Sequence, residues 1–266
     1  MFTPGGPTAM IGVVHLLPLP GSPCDAQPLS EVIARACADA VALAHGGAAG
    51  AIVENLGDAP FTGGTVRPAT VAAMTRIVLE IQRRVPELPL GINVLRNDAA
   101  AALAVAAATQ ARFIRVNVHA GTMLTDQGPI VGRARATLLE RNRLGASVAI
   151  AADVLVKHAV PIGQPELADV ARDTFRRAHA DALIVSGAGT GQPTDAARVM
   201  EVIGAVPEAP VWVGSGVTPS NIPPRETAAA IVGTWLHHDS DLTRPVSLKR
   251  VRAMARALDQ AANSDS

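Results

Sequence analysis

The sequence predicts an α/β chain folded as a single-domain (β/α)8 TIM barrel over residues 1–266. Three observations predict it. Strand-like and helix-like patterns alternate eight times, without a composition break that would mark a second domain, and eight such units are what the barrel requires. The connections from helix to strand are short and plain, at residues 45–47, 86–89, 144–146 and 207–210. Those from strand to helix are longer and gather the Asn, Asp, His and Gly-Thr clusters. In a barrel this second set forms the C-terminal face, where ligands bind. The third observation is the stretch 112–119, in which Ile114, Val116 and Val118 share one face and Arg115, Asn117 and His119 the other. Where helices cover a parallel sheet, the apolar face meets the helices and the arginine points inward. An unpaired guanidinium there costs on the order of several kcal/mol, so acids should converge on it. A doubly wound open sheet is the competing arrangement of the same elements.

Residues 10–15 are a short apolar run followed by the turn-rich 18–23, and read as the first strand. A helix over 29–44 follows, with Ser30 as its N-cap. The second strand is 51–55, its long polar loop is 57–67, and 70–85 is a helix. Residues 90–95 make the third strand, and Arg96-Asn97-Asp98 opens a helix over 99–109. After the fourth strand, 112–119, a loop runs from Ala120 through 125–128, and a helix continues to Arg143. The fifth strand, 147–154, precedes a helix over 166–179. The sixth, 182–186, leads into the glycine-rich 187–191 and a helix from Thr194. The seventh is 211–213, ending in 214–219. The eighth is 230–232, ending in Gly233-Thr234, and a helix from Leu248 closes the chain.

Composition excludes several classes of function. The formal net charge is zero, and there are no Tyr, two Trp and four Phe. Nucleic acid is excluded as a partner, because neither a basic field nor stacking platforms are present. The longest alanine-rich apolar run, 99–108, is far short of the roughly 20 residues a membrane-spanning helix needs, so no transmembrane segment is expected. The first residues lack a signal-type pattern, and a cytoplasmic location is expected. Cys24 and Cys37 have neither metal nor redox spacing, which fits a reducing compartment. A homo-oligomer is compatible with this composition.

Candidate site residues lie at strand ends. Gly187, Gly189 and Thr190, Gly214, Ser215 and Gly216, and Gly233 and Thr234 would let backbone amides approach an anion, at the loops where this fold usually cradles phosphate. The alternative is that these glycines only serve tight turns. No cofactor is expected beyond phosphate or a phosphorylated ligand. Parity places Arg115, Asn117 and His119 on the inner face, Asp153 with Ala149 and Ala151, and Asn93 with Gly91. Of Glu54 and Asn55 only one can point in. A catalytic arrangement would use Asp153 or Glu54 as proton acceptor and Arg115 to hold negative charge. The alternative is an ion-pair network that only fixes the barrel. Lys157 and His158 would supply an electrophile or Schiff-base amine and a proton shuttle, or else a solvated loop face. Of 23 basic residues only Lys157 and Lys249 are lysine, which draws attention to the former. His15 is either a ligand contact or a satisfied core histidine. Cys24, His237 and His238 receive no role, and Arg250, Arg252 and Arg256 read as a solvated helix face. No nucleophile elbow, paired cysteines or metal-spaced histidines accompany them, so no metal site is expected.

Taken in order, the segments 14–23 (VHLLPLPGSP), 53–61 (VENLGDAPF), 91–98 (GINVLRND), 113–117 (FIRVN), 156–158 (VKH) and 213–219 (VGSGVTP) resemble the BtpA family over nearly the whole chain. The resemblance implies a TIM barrel similar to the ribulose-phosphate-binding group. The family's namesake is a cyanobacterial factor for photosystem I biogenesis, a peripheral thylakoid protein, and its sugar-metabolism relatives lack a settled reaction. Peripheral membrane association is implied by the resemblance alone. The chain departs from the family pattern at 221–227, where paired prolines leave little room for a helix before the eighth strand. It departs again at 234–238, and both departures touch the expected anion cradle. Two functions are therefore expected: an enzyme acting on a small phosphorylated or anionic metabolite by proton transfer or by carbon–oxygen or carbon–nitrogen bond chemistry, or a non-catalytic assembly or stability factor. An exposed apolar patch or a basic rim would favour the second.

Overall fold

Short apolar runs become strands and longer runs between them helices in the computed structural model, which describes residues 6–24, 27–187 and 193–263. Strand β1 (Ala9–His15) leads to α1 (Leu29–Gly46), which ends where Gly47 takes a left-handed conformation at φ 97°. Pro28, not Ser30, is the N-cap of α1. The backbone is already helical at Leu29, and the amides of Glu31 and Val32 both donate to the Pro28 carbonyl. Next come β2 (Gly50–Glu54), α2 (Pro68–Arg84, with proline in its first turn), β3 (Leu90–Asn93) and α3 (Ala99–Thr109). Asp98 caps α3 by accepting from the Ala101 amide at 3.0 Å, and its other oxygen accepts from the Val66 amide at 2.9 Å.

Strand β4 (Phe113–Val116) is followed not by the expected loop but by a hairpin of β5 (Thr122–Thr125) and β6 (Gly128–Val131). Its turn is Asp126-Gln127, with Gly128 at φ 91° and the Thr125 hydroxyl donating to the Gly128 carbonyl at 2.8 Å. Helix α4 (Ala134–Arg143) and β7 (Ala149–Val154) come next, then β8 (Val160–Pro161), which pairs antiparallel with β5. Helix α5 (Leu167–Arg172) runs into a π-helical turn at Asp173–Arg177, so the helix expected over 166–179 changes its winding midway. The remainder is β9 (Ala182–Val185), α6 (Ala196–Ala205), β10 (Val211–Val213), β11 (Ala229–Val232) and α7 (Leu248–Asn263). No helix stands between β10 and β11. Prolines at 219, 223 and 224 deny one, and Asn221 folds the segment back instead, accepting from the Thr218 amide and donating to the Gly216 carbonyl at 2.7 Å. The seventh expected unit is thus a strand without its helix.

Eight parallel strands close in the order β1-β11-β10-β9-β7-β4-β3-β2, with β1 pairing both β11 and β2. The interior is plugged. Ile11, Ile52, Ile184 and Ile231 surround Phe113 and Trp212, whose rings meet edge to face at 5.3 Å. Gly91 makes room for this, because a Cβ there would strike the Phe113 ring. The outward strand residues, among them Val14, Val53, Ile92, Ile114 and Ile150, pack against the helices in a separate outer shell. Among the described residues no helix is long and apolar enough to cross a membrane.

Candidate functional site

A period of two fixes what each barrel strand offers the site. In every strand the inward residue two positions beyond the core layer falls at the C-terminal mouth: His15, Glu54, Asn93, Arg115, Asp153, Ser186, Gly214 and Gly233. Six of these eight carry hydrogen-bonding groups, and the two glycines adjoin the missing seventh helix and the last loop. The plug beneath them is apolar, so the polar set has nowhere to turn but toward its own members or a ligand.

Four side chains pair off at the floor. Arg115 donates to both oxygens of Asp153 at 2.9 Å each, Asn117 adds a bond to Oδ2 at 3.0 Å, and Ser186 adds one to Oδ1 at 3.1 Å. All four are buried. Burial works against the Arg115 charge, yet the charge and hydrogen bonds of Asp153 outweigh it and raise the guanidinium's affinity for its proton. Asp153 accepts four bonds, about the full capacity of a carboxylate. Glu54 is different: among the described residues its carboxylate accepts one hydrogen bond, from Asn93 Nδ2 at 2.5 Å. Glu54 is the member of the 54–55 pair that points in. Asn55 turns away, donating to Asp58 and accepting from the Leu95 amide.

A second set forms the rim. Arg96, buried, donates to the Lys157 carbonyl at 2.8 Å. Lys157 is half-buried, and the chain around it is held in an uncommon shape, with Leu155 at φ 52° and His158 at φ 55°. The left-handed region costs roughly 1–2 kcal/mol for such residues, a kind of strain that clusters at functional sites. Among the described residues no carboxylate lies within ion-pair distance of Arg96 or Lys157. Burial and the neighbouring Arg115 charge push the Lys157 ammonium below the usual lysine range. Burial, Lys157 and Arg96 likewise lower His158, which is exposed at the rim.

Two cavities share His15, Glu54, Arg115 and Lys157 as a common wall. One, of about 150 Å³, lies under 214–218 and 233–235. The other, of about 520 Å³, is bounded by Ala59 and Phe61 of the loop after β2, by Arg96 and His158, and by Asp126 from the β5–β6 turn. In the first, a Cβ at Gly214 would collide with Ser186 Oγ and one at Gly233 with the His15 ring, so only hydrogen fits at either position. Among the described residues the amides of Gly216, Thr234 and Trp235 donate no hydrogen bond. Ser215 Oγ accepts from the Gly187 amide at 2.9 Å, tying the loop after β9 to the loop after β10.

The fold thus gathers Asp153, Glu54, Arg115, Asn117, Lys157, His158, Gly214, Ser215, Gly216, Gly233 and Thr234 around one mouth, with Gly187 buried beside it. Gly189 and Thr190 lie outside the described residues. His119 does not join them. Regular pairing of β4 stops at Val116, Asn97 grips the Val118 amide and carbonyl, and the His119 ring turns outward to the Ala178 carbonyl at 3.0 Å. Three contributors escaped the sequence reading of the site: Arg96, Asp126 and His237. His237, from the loop after β11, meets His15 with its Nε2 3.2 Å from Nδ1. Arg96 had a signal, since it stands directly after a strand at the ligand-binding face. Among the described residues no group of three or more His, Cys, Asp and Glu is placed to hold a metal ion.

Comparison with known proteins gives one family and one fold. The model of the BtpA family matches residues 7–260. Photosystem I biogenesis protein BtpA of Synechocystis is 46% identical over 257 residues, covering 96% of this chain and 89% of that protein. An uncharacterized protein of Pyrococcus horikoshii is 44% identical over 251 residues, 93% of this chain and 94% of the relative. The putative sgc region protein SgcQ of Escherichia coli is 34% identical over 221 residues, 82% and 81% of the two chains. Among solved structures, phosphoribosyl anthranilate isomerase from Thermus thermophilus superposes with a TM-score of 0.57 at 12% identity, over 96% of this chain and 100% of that one. Tryptophan synthase subunit alpha from Legionella pneumophila superposes with 0.56 at 12% identity, over 95% and 93%. At such identities these likenesses show the fold alone.

Proposed function

The chain belongs to the BtpA family, and from that premise and the charge pattern of the mouth we propose that it binds a small phosphorylated or anionic metabolite and performs acid–base chemistry on it. The observation that carries the proposal is the contrast between cations. Arg115 is neutralised by Asp153 in a two-bond ion pair, whereas Arg96 and Lys157 face a cavity that Glu54 and Asp126 also line, and neither forms an ion pair with a carboxylate among the described residues. Buried charge left unpaired in a free protein is supported by an incoming counter-charge. The glycine loops would take the phosphate on the amides of Gly216, Thr234 and Trp235. Glu54, with a single hydrogen bond from Asn93, would accept a proton. Asp153, already filled, would hold Arg115 in place. Arg96 and Lys157 would stabilise negative charge as it develops, and His158 would pass protons to solvent.

Thermal unfolding against inorganic phosphate, sugar phosphates, nucleotides and carboxylates tests this. A ligand at 100 times its Kd adds about 2.7 kcal/mol of apparent stability. A selective gain that Gly214→Ala and Arg96→Ala each remove supports the proposal; no gain from any anion sinks it. A second reading, an assembly factor of the kind that the Synechocystis relative's name describes, is favoured by one specific observation. The outer face of the β5–β6–β8 sheet exposes Leu124, Val131, Val160 and Ile162, with Leu124 directly opposite Val160. Failure of every anion would shift the weight to that face.

A further inference from the structure

The histidine pair leads to a more specific statement about the ligand, and it rests on the anion-binding proposal above. His237 Nδ1 lies 2.6 Å from the Arg244 carbonyl oxygen. A carbonyl oxygen only accepts, so His237 carries its proton on Nδ1. Burial holds both rings toward the neutral form, and it holds His15 down to about 4. A neutral His237 protonated on Nδ1 presents a lone pair at Nε2. The only atom of His15 near it is Nδ1, at 3.2 Å, which must therefore be the donor. One proton per ring then leaves His15 Nε2 bare.

That nitrogen has no hydrogen-bond partner among the described residues, and His15 lines both cavities. It also lies beside the cradle. The position of a Cβ on Gly233 would fall 2.9 Å from His15 Cε1 and 3.4 Å from Nε2, so a side chain there would cover the bare nitrogen. Every other polar group around it that has been assigned to anion binding is a donor. The cradle amides, Arg96 and Lys157 suit negative charge, and His15 Nε2 repels it.

We infer that the ligand is a hydroxylated phosphate ester, whose phosphate sits on the glycine loops and whose adjacent hydroxyl donates to Nε2 of His15. His15 is then a specificity-determining contact, and His237 a positioning residue that acts through it by fixing the tautomer. A phosphate ester without that hydroxyl would leave Nε2 desolvated and unpaired, and would bind less tightly.

Long-range 1H–15N correlation on the full chain labelled with 15N-histidine tests the inference. His15 signals are assigned by their loss in His15→Ala. The expected pattern is a His15 protonated on Nδ1 with a bare Nε2, retained in His237→Gln and lost to a mixture of tautomers in His237→Ala. Titration then compares glycerol 3-phosphate with propyl phosphate, equal in charge and differing in hydroxyls. The first should bind about tenfold more tightly and move the Nε2 signal, and His15→Ala should remove that preference. A His15 protonated on Nε2, or an unchanged preference in His15→Ala, overturns the inference while the anion proposal stands. Binding of neither ester, with inorganic phosphate also inert, overturns both.

Discussion

Two sets of cations face the same mouth, and they are partnered in opposite ways. Arg115 at the floor is buried with Asp153, Asn117 and Ser186 closing every bond around the carboxylate. Arg96 and Lys157 at the rim hold each other only through a backbone carbonyl. A fully satisfied pair fixes the shape of the barrel. Partly desolvated cations without an ion-paired carboxylate are instead left for something that arrives. The contrast separates the part of the site that belongs to folding from the part that belongs to binding.

The largest effect should come from breaking the floor. Asp153→Ala leaves the Arg115 guanidinium buried without a counter-charge, and urea unfolding should show a loss of about 3–5 kcal/mol. Replacing both partners with apolar residues of like volume should recover most of it. If Asp153→Ala were nearly neutral, the division between floor and rim would fail.

Acid should act on the histidine wall next. His15 titrates at about 4 in the folded chain against about 6.5 unfolded. Between those values the unfolded chain binds a proton that the folded one refuses, so stability falls as pH falls from 6.5 to 4. Burial lowers His237 in the same direction. The shift at His15 amounts to about 3 kcal/mol across that window. Chemical denaturation at stepped pH should show this slope, and His15→Asn should flatten it. Loss of stability confined to pH below 4 would contradict it.

At the rim the effect should move from stability to binding. Lys157→Ala is expected to weaken phosphate-ester binding by about 2 kcal/mol or more, with unfolding changed by less than about 1 kcal/mol. The smallest change belongs to the outer face of the hairpin sheet. Leu124→Ser or Val160→Thr should alter folding by about 0.5 kcal/mol or less, since both side chains are already in water. Were either substitution to change the sedimentation of the protein, that face would be a contact surface.

The barrel was legible because its two periods are clean. Residues 211–213 and the start of the last helix fall where the pattern puts them, and Asp98 caps α3 as its position before an alanine run suggests. Parity also delivered Arg115, Asn117 and Asp153, and left open which of Glu54 and Asn55 points in. It failed farther past the strand ends. His119 lies three residues past the end of β4, so alternation no longer governs it. Arg96 follows β3 by the same distance, and nothing periodic says that it bends back over Lys157. The β5–β6 hairpin was hidden by an Asp126-Gln127 turn without the usual Asn-Gly signal, and by Pro129 within the strand. His237 looked like background because its partner is 222 residues away.

Titration calorimetry of inorganic phosphate into the intact protein and into Lys157→Ala, with urea unfolding of both, tests the separation of floor from rim most directly. The expected result is heat of binding in the intact protein, its loss in the variant, and unfolding midpoints that coincide. Equal binding by both proteins, or a Lys157→Ala variant as unstable as Asp153→Ala, would contradict it.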